Sequence, residues 1–175
     1  MTEQQKQFLK TVTGPAFEAE RVYGIPGAVT VAQAILESAG RVNGHWEWGA
    51  SPLFVHANNP FGIKYSDQSP DAKYGACSIR THEFIKGLEE VVHAGFQRFP
   101  SLEEAFTAHA LLLRHPHYAK AWKHRGDARM YAMCLGPCSE SNPDGCGYAT
   151  DPKYGEKLLG LMDRYDLTRA EELYA

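Results

Sequence analysis

The stretch from Pro26 to Gly40, PGAVTVAQAILESAG, constrains this chain more than any other. Proline is at home in the first turn of a helix, where its missing N–H has no intrahelical partner to lose, and glycine accepts the left-handed backbone that ends one. Between them, Ala28, Val31, Ala32, Ile35 and Ala39 fall on one apolar stripe at helical spacing. The spacing predicts a helix packed into the core along that stripe, with Thr30, Gln33 and Glu37 projecting on the opposite, polar side. The rest of the chain has to fold around it.

Residues 3–22 carry Phe8, Leu9, Val12, Phe17 and Val22, which predicts a helix with a weak point at Gly14-Pro15. Residues 41–75 read as a long irregular segment rich in Gly, Pro, Asn and aromatics, and segments of that kind are functional or mobile. CSIRTHEFI and LEEVVHAGFQRF, joined at Lys86-Gly87, predict a β-hairpin over 76–99. Ser101-Leu-Glu-Glu is a capping box that opens a helix through Arg114, and another helix is expected over 117–133. Asp151-Pro152 places a capping acid and a first-turn proline before KYGEKLLGLMDRYDL, the last helix. No repeat or linker divides the 175 residues, so the expectation is one α+β domain: a mainly helical body with a small β-hairpin lobe.

The charge pattern removes some classes of function. The net charge is −3 and the basic residues are scattered, whereas a nucleic-acid surface needs Lys and Arg gathered on one face. No apolar run approaches the roughly 20 residues of a membrane span. The opening MTEQQKQFLK is polar and has no apolar signal-peptide core, which leaves export by another route, a trimmed leader, or action in the cytoplasm. Three of the four cysteines, Cys134, Cys138 and Cys146, crowd into LGPCSESNPDGCGY, and Cys77 lies apart. A loop of Gly, Pro, Ser and Asn gains from a staple, so one or two disulfides are the leading expectation, free thiols the second and a metal site the third, because no CxxC pair is present.

Glu37 is the first candidate for chemistry. A glutamate on a helix face ordinarily does no more than keep that face solvated. This one falls in the last turn, where the helix dipole disfavours an anion and pushes a carboxyl toward its protonated form. It is followed by Trp46, Trp48, Phe54, Phe61 and Tyr65, rings that stack on sugar faces and desolvate a nearby carboxyl. A proton held near neutral pH is what a general acid needs. Glycoside hydrolysis generally uses a second carboxylate. Glu83, in Thr81-His82-Glu83, is the candidate, with Glu47, Asp67 and Asp71 as rivals. No Gly-x-Ser-x-Gly, P-loop or His-Glu-x-x-His motif occurs, and no two of the eight histidines stand at i, i+4 ligand spacing.

Four blocks, IPGAVTVAQAILESAG, ANNPFGIK, FQRFPSLEEAFTAHALLL and GYATDPKY, stand in the order found in the bacterial N-acetylglucosaminidases typified by flagellar rod-assembly hydrolases and many autolysins, glycoside hydrolase family 73. The chain resembles that family over about residues 20–167. The resemblance implies a lysozyme-like α+β fold with a cleft between body and hairpin, and hydrolysis of β-1,4 bonds in peptidoglycan with N-acetylglucosamine at the new reducing end. It implies Glu37 as the acid, Glu83 as the second carboxylate, and Tyr148 as the aromatic that helps hold the sugar. Asn59 and Phe61 are expected to line the cleft. Tyr154 counts among the substrate-binding residues and, with Asp151, shapes the motif's turn. Where many members have Gly-Trp-Gly after the Glu-Ser, this chain has Ala39-Gly40-Arg41, so Trp46 or Trp48 is expected to substitute. Pro60 stands where the family usually has Leu. No metal or organic cofactor is implied; a monomer acting in the periplasm, cell wall or outside the cell is. A muramidase or lytic transglycosylase on a similar fold, and a wall-binding module without catalysis, are the alternatives.

Overall fold

The structure, a computed structural model, describes residues 1–85 and 88–175, and of residues 80–93 no side chain is described. Helix α1 (Glu3–Tyr23) opens on a reciprocal Thr2–Gln5 capping box and closes on Gly24 in the left-handed region. It runs through Pro15 without a break, because Val12, Thr13, Ala16 and Ala19 are all buried and their packing outweighs one missing hydrogen bond. Helix α2 (Gly27–Glu37) follows, and here the stripe reading needs correction: every residue from Gly27 to Ile35 is buried, Thr30 and Gln33 included. The helix is not amphipathic but central, wrapped by α1 and by three later elements. Its proline start leaves it without a side-chain cap of its own, and the Glu20 carboxylate supplies one by accepting the Gly27 N–H at 2.9 Å.

The segment read as irregular has structure of its own. Strands β1 (Gly40–Val42) and β2 (His45–Glu47) pair around Asn43-Gly44, both at positive φ, a tight turn that suits Asn and Gly. Helix α3 (Pro52–Ala57) is capped by Ser51, and a 3-10 turn occupies Pro70–Tyr74. The expected hairpin is present as β3 (Ala76–Ile85) and β4 (Leu88–Gln97), antiparallel, with Glu83 opposite Glu90 in backbone register. Lys86 and Gly87 at its tip lie outside the described residues.

Helix α4 (Leu102–Leu113) begins where Ser101 accepts the Glu104 N–H. The single helix expected over 117–133 is two, α5 (Ala119–Trp122) and α6 (Ala128–Cys134), because Asp127 turns its side chain onto the N–H groups of Arg129 and Met130 and so starts a new helix. Helix α7 (Tyr154–Arg164) starts later than expected: Asp151 accepts the Lys153 N–H and pairs with Lys157, so it caps the turn before the helix and not the helix itself. Helix α8 (Ala170–Tyr174) ends the chain.

All four cysteines are free thiols, so the expected staple is not there. The ends of the cysteine loop are joined by main-chain bonds instead. Cys146 N–H donates to Cys134 O, Gly147 N–H to Gly136 O and Tyr148 N–H to Leu135 O, at 2.8–3.0 Å. The fold is a helical body around α2 with two small antiparallel hairpins on its flank. Among the described residues no helix is long and apolar enough to cross a membrane.

Candidate active site

Glu37 is the last residue of α2, so its backbone is fixed by the core while its side chain leaves it. The Glu37 side chain is exposed and borders a cavity of about 490 Å3 lined by Phe61, Ile63, Lys64, Leu112, Tyr118 and Tyr148. On the protein side the Tyr154 hydroxyl donates to Glu37 Oε1 at 2.7 Å and accepts from Gln33 Nε2 at 3.2 Å. Gln33 lies one turn before Glu37 on the same helix, so the relay runs from α2 to α7 and back to α2.

Burial pushes the Glu37 carboxyl above its ordinary range, and the Tyr154 hydrogen bond, which favours the anion, pulls part of that back. Burial and the neighbouring Glu37 charge push both Tyr148 and Tyr154 upward, so their phenols keep their protons throughout the working range. Tyr154 is therefore a donor to Glu37, never a base toward it.

An aromatic stack forms the floor. Tyr148 lies over Tyr154 with ring centres 5.7 Å apart, and Phe61 stacks on His109 at 3.8 Å and 16°. His109 also meets the edge of Tyr148 at 5.9 Å. It is fully buried, neither ring nitrogen has a hydrogen-bond partner among the described residues, and burial lowers its pKa to about 3. It is a neutral ring with no proton to trade near pH 7, and it holds Phe61 and Tyr148 in place.

Of the sequence candidates, Glu37, Phe61, Tyr148 and Tyr154 come together here. Asn59 does not reach the cavity among the described residues but ties the segment that does: it is 1% exposed, donates to the carbonyls of Ile63 and Gln97, both at 2.9 Å, and accepts the Ile63 N–H at 3.0 Å. Trp48 packs into the body between Phe8 and Tyr165, at 6.0 and 4.8 Å. Trp46 is 67% exposed on the β1–β2 hairpin, under the Arg41 guanidinium. The Glu83 side chain lies outside the described residues. Asp71 lines a neighbouring hollow and not that of Glu37.

Sequence reasoning missed Gln33, Tyr118, Ile63, Lys64 and Leu112. The signal for Gln33 was present. It and Thr30 are the two polar residues before Glu37 in an otherwise apolar helix, and Gln33 stands at i, i+4 from the acid.

An acid on a helix end, backed by a phenol and faced by a ring-lined cavity, has the chemistry to protonate a glycosidic oxygen. The family described as mannosyl-glycoprotein endo-beta-N-acetylglucosaminidase, the glucosaminidase family, matches residues 14–167. The chain belongs to the glucosaminidase family of glycoside hydrolases. Among curated proteins, the exo-glucosaminidase LytG of Bacillus subtilis is 30% identical over 173 residues, 98% of this chain and 55% of that protein. A probable N-acetylmuramidase of Lactococcus lactis is 29% identical over 175 residues, 96% of this chain and 35% of that protein. The chain thus spans about half the length, or less, of these curated relatives. The catalytic domain of the autolysin Auto from Listeria monocytogenes superposes with a TM-score of 0.74 at 26% identity, covering 97% of this chain and 89% of that domain. The glucosaminidase fold is therefore lysozyme-like here, and the four motif blocks fall within the matched residues.

Proposed function

We propose that this glucosaminidase domain is an endo-β-N-acetylglucosaminidase that cleaves β-1,4 bonds in the glycan strands of peptidoglycan, with Glu37 as proton donor. One observation carries the reading: the Glu37 carboxyl is held at Oε1 by Tyr154, and its partial desolvation raises its pKa where it faces a ring-lined cavity. With Oε1 occupied by the Tyr154 donor, the proton leaves from Oε2 to the leaving-group oxygen. Tyr148 and Tyr118, both partly exposed in the cavity, offer ring surface to the sugar, and the charge that develops on the sugar ring calls for a carboxylate on the opposite side. Glu83 is assigned that role on its motif; in the β3–β4 hairpin its backbone stands opposite Glu90. The substrate places the working site outside the cytoplasmic membrane.

Mass spectrometry of digested wall tests this, with Glu37→Gln as control. New N-acetylglucosamine reducing ends, absent with the variant, are the expected result. Muramic-acid ends would sink the bond assignment in favour of a muramidase, the reading that the lactococcal relative's name favours. A Glu83→Gln variant that stays active would point to a transglycosylase, which needs no second carboxylate. Wall material left intact by wild type would reduce the domain to a binding module.

A further inference from the structure

The Glu37 cavity does not end at its own rim. Ile63, Lys64 and Leu112 also line a second hollow of about 450 Å3, which continues between the segment after Phe61 and the outer face of α4. Its chemistry differs from that of the first. Leu111 and Leu112 lie bare on an α4 face, 51% and 38% exposed, although the other side of the helix is core. Asp71 and Glu104 add two carboxylates, and among the described lining residues the one aromatic ring is Phe99, itself buried.

Gln97 joins the hollow from the end of β4 and is 1% exposed. Its Nε2 donates to the carbonyls of Asp71 at 2.6 Å and Arg98 at 2.8 Å, so turning the amide over would set oxygen against oxygen. That fixes Oε1 as the remaining group, and it is buried with no hydrogen-bond partner among the described residues. An unpaired buried acceptor is costly and calls for a donor.

We propose that this second hollow seats the stem peptide of the wall strand, with a peptide amine directed to Asp71, Glu104 and the Gln97 acceptor. The proposal rests on the reading of the Glu37 cavity as a site for peptidoglycan. A strand lying across Glu37 carries a peptide on alternate sugars, and the ledge of Ile63, Lys64 and Leu112 is where such a branch leaves the sugar groove. Exposed leucines suit the alanine methyls of a stem peptide, and carboxylates suit its ammonium group. A further run of sugars would call for exposed aromatic faces, which the described lining does not offer.

The test uses the intact chain on three substrates: peptide-bearing glycan, the same strands stripped of peptide by an amidase, and peptide-bearing strands with the amines acetylated. Wild type is expected to favour the first by about tenfold in kcat/KM, chiefly through KM, the effect of one charge-assisted hydrogen bond. Glu104→Gln should lose most of that preference and leave stripped strands cut at the wild-type rate. Equal cutting of all three substrates by wild type would overturn the proposal, as would a Glu104→Gln loss that is the same on stripped and peptide-bearing strands. If no strand is cut at all, the cleavage reading has failed separately. Titration with a synthetic stem peptide bearing a free lysine amine then decides: binding that Glu104→Gln weakens upholds the peptide seat, and no binding refutes it.

Discussion

The two walls of the cleft are built by opposite means. On one side Glu37, Gln33 and Tyr154 belong to α2 and α7, and a side-chain relay holds an acid whose backbone the core already fixes. On the other side the segment from Asn59 to Tyr65 has no helix or strand to stiffen it. It hangs on three hydrogen bonds of the Asn59 amide and on main-chain bonds to β4, Gln97 N–H to Ile63 O and Tyr65 N–H to Gly95 O. The contrast teaches a division of labour. The wall proposed to handle the proton is preorganised by the Gln33–Tyr154 relay, and the wall proposed to meet the substrate is positioned by a few polar contacts that one substitution can remove.

Glu37→Gln should break the first wall's chemistry without breaking the wall. Activity on purified wall is expected to fall by about 10²–10⁴-fold, the usual worth of a general acid, with the melting temperature nearly unchanged because the amide still accepts from Tyr154. Asn59→Ala should do the reverse. It leaves the Ile63 N–H and the Gln97 carbonyl without their Asn59 partner, while the Ile63 carbonyl keeps the Gln97 N–H. The cost is about 2 kcal/mol of stability, seen as a melting temperature about 4–8 °C lower, with KM rising more than kcat falls.

The floor that joins the walls gives the third test. The buried His109 ring titrates near pH 3, against 6.5 for an ordinary histidine. The unfolded chain therefore binds a proton in that window that the folded chain refuses, and stability falls as pH drops below 6.5 toward 3. By pH 5 the loss is about 2 kcal/mol. Thermal unfolding of His109→Phe should show a flatter acid limb than wild type. The Glu37 carboxyl, shifted upward, works with the opposite sign: its protonated form is the one the fold favours, so both its stabilising effect and the activity are lost as pH rises through its pKa. Tyr154→Phe removes the hydrogen bond that favours the anion, so the alkaline limb of the pH–rate profile should move to higher pH. It also strands the Gln33 amide, at about 1 kcal/mol. An unmoved limb would mean that the relay has no hold on the acid.

The same contrast explains what could be read from the chain. The position of Glu37 was legible because its signals are local: Pro26, the apolar helix after it and a carboxyl in the last turn. Gly40, however, does not end that helix, which stops at Glu37 on a Ser38 cap, but opens β1. The β3–β4 hairpin and α4 carried alternation and a cap, and both formed as expected. The helix around Glu37 was misjudged in its polar side, since helical spacing cannot reveal that Thr30 and Gln33 are buried, Gln33 against Tyr154 far along the chain. Asn59 was seen as a wall residue because its motif was recognisable, but its clamp onto Gln97 depends on a strand that pairs far along the chain. The short β1–β2 hairpin was missed although Asn43-Gly44 announces it, because only three residues flank the turn on each side.

The cysteine loop has a consequence of another kind. The main-chain bonds that place Tyr148 run from residues 146–148 to residues 134–136, and Gly145 packs directly against the Pro137 backbone at the neck, where no Cβ would fit. Beyond that neck Asn142 ties the turn back to the body, its Nδ2 donating to the carbonyls of Met133 and Pro137, and Glu140 and Ser141 lie exposed outside that tie. The loop is a port: a fluorophore, an affinity tag or a whole wall-targeting module spliced between Glu140 and Ser141 would ride on the enzyme without touching its aromatic floor.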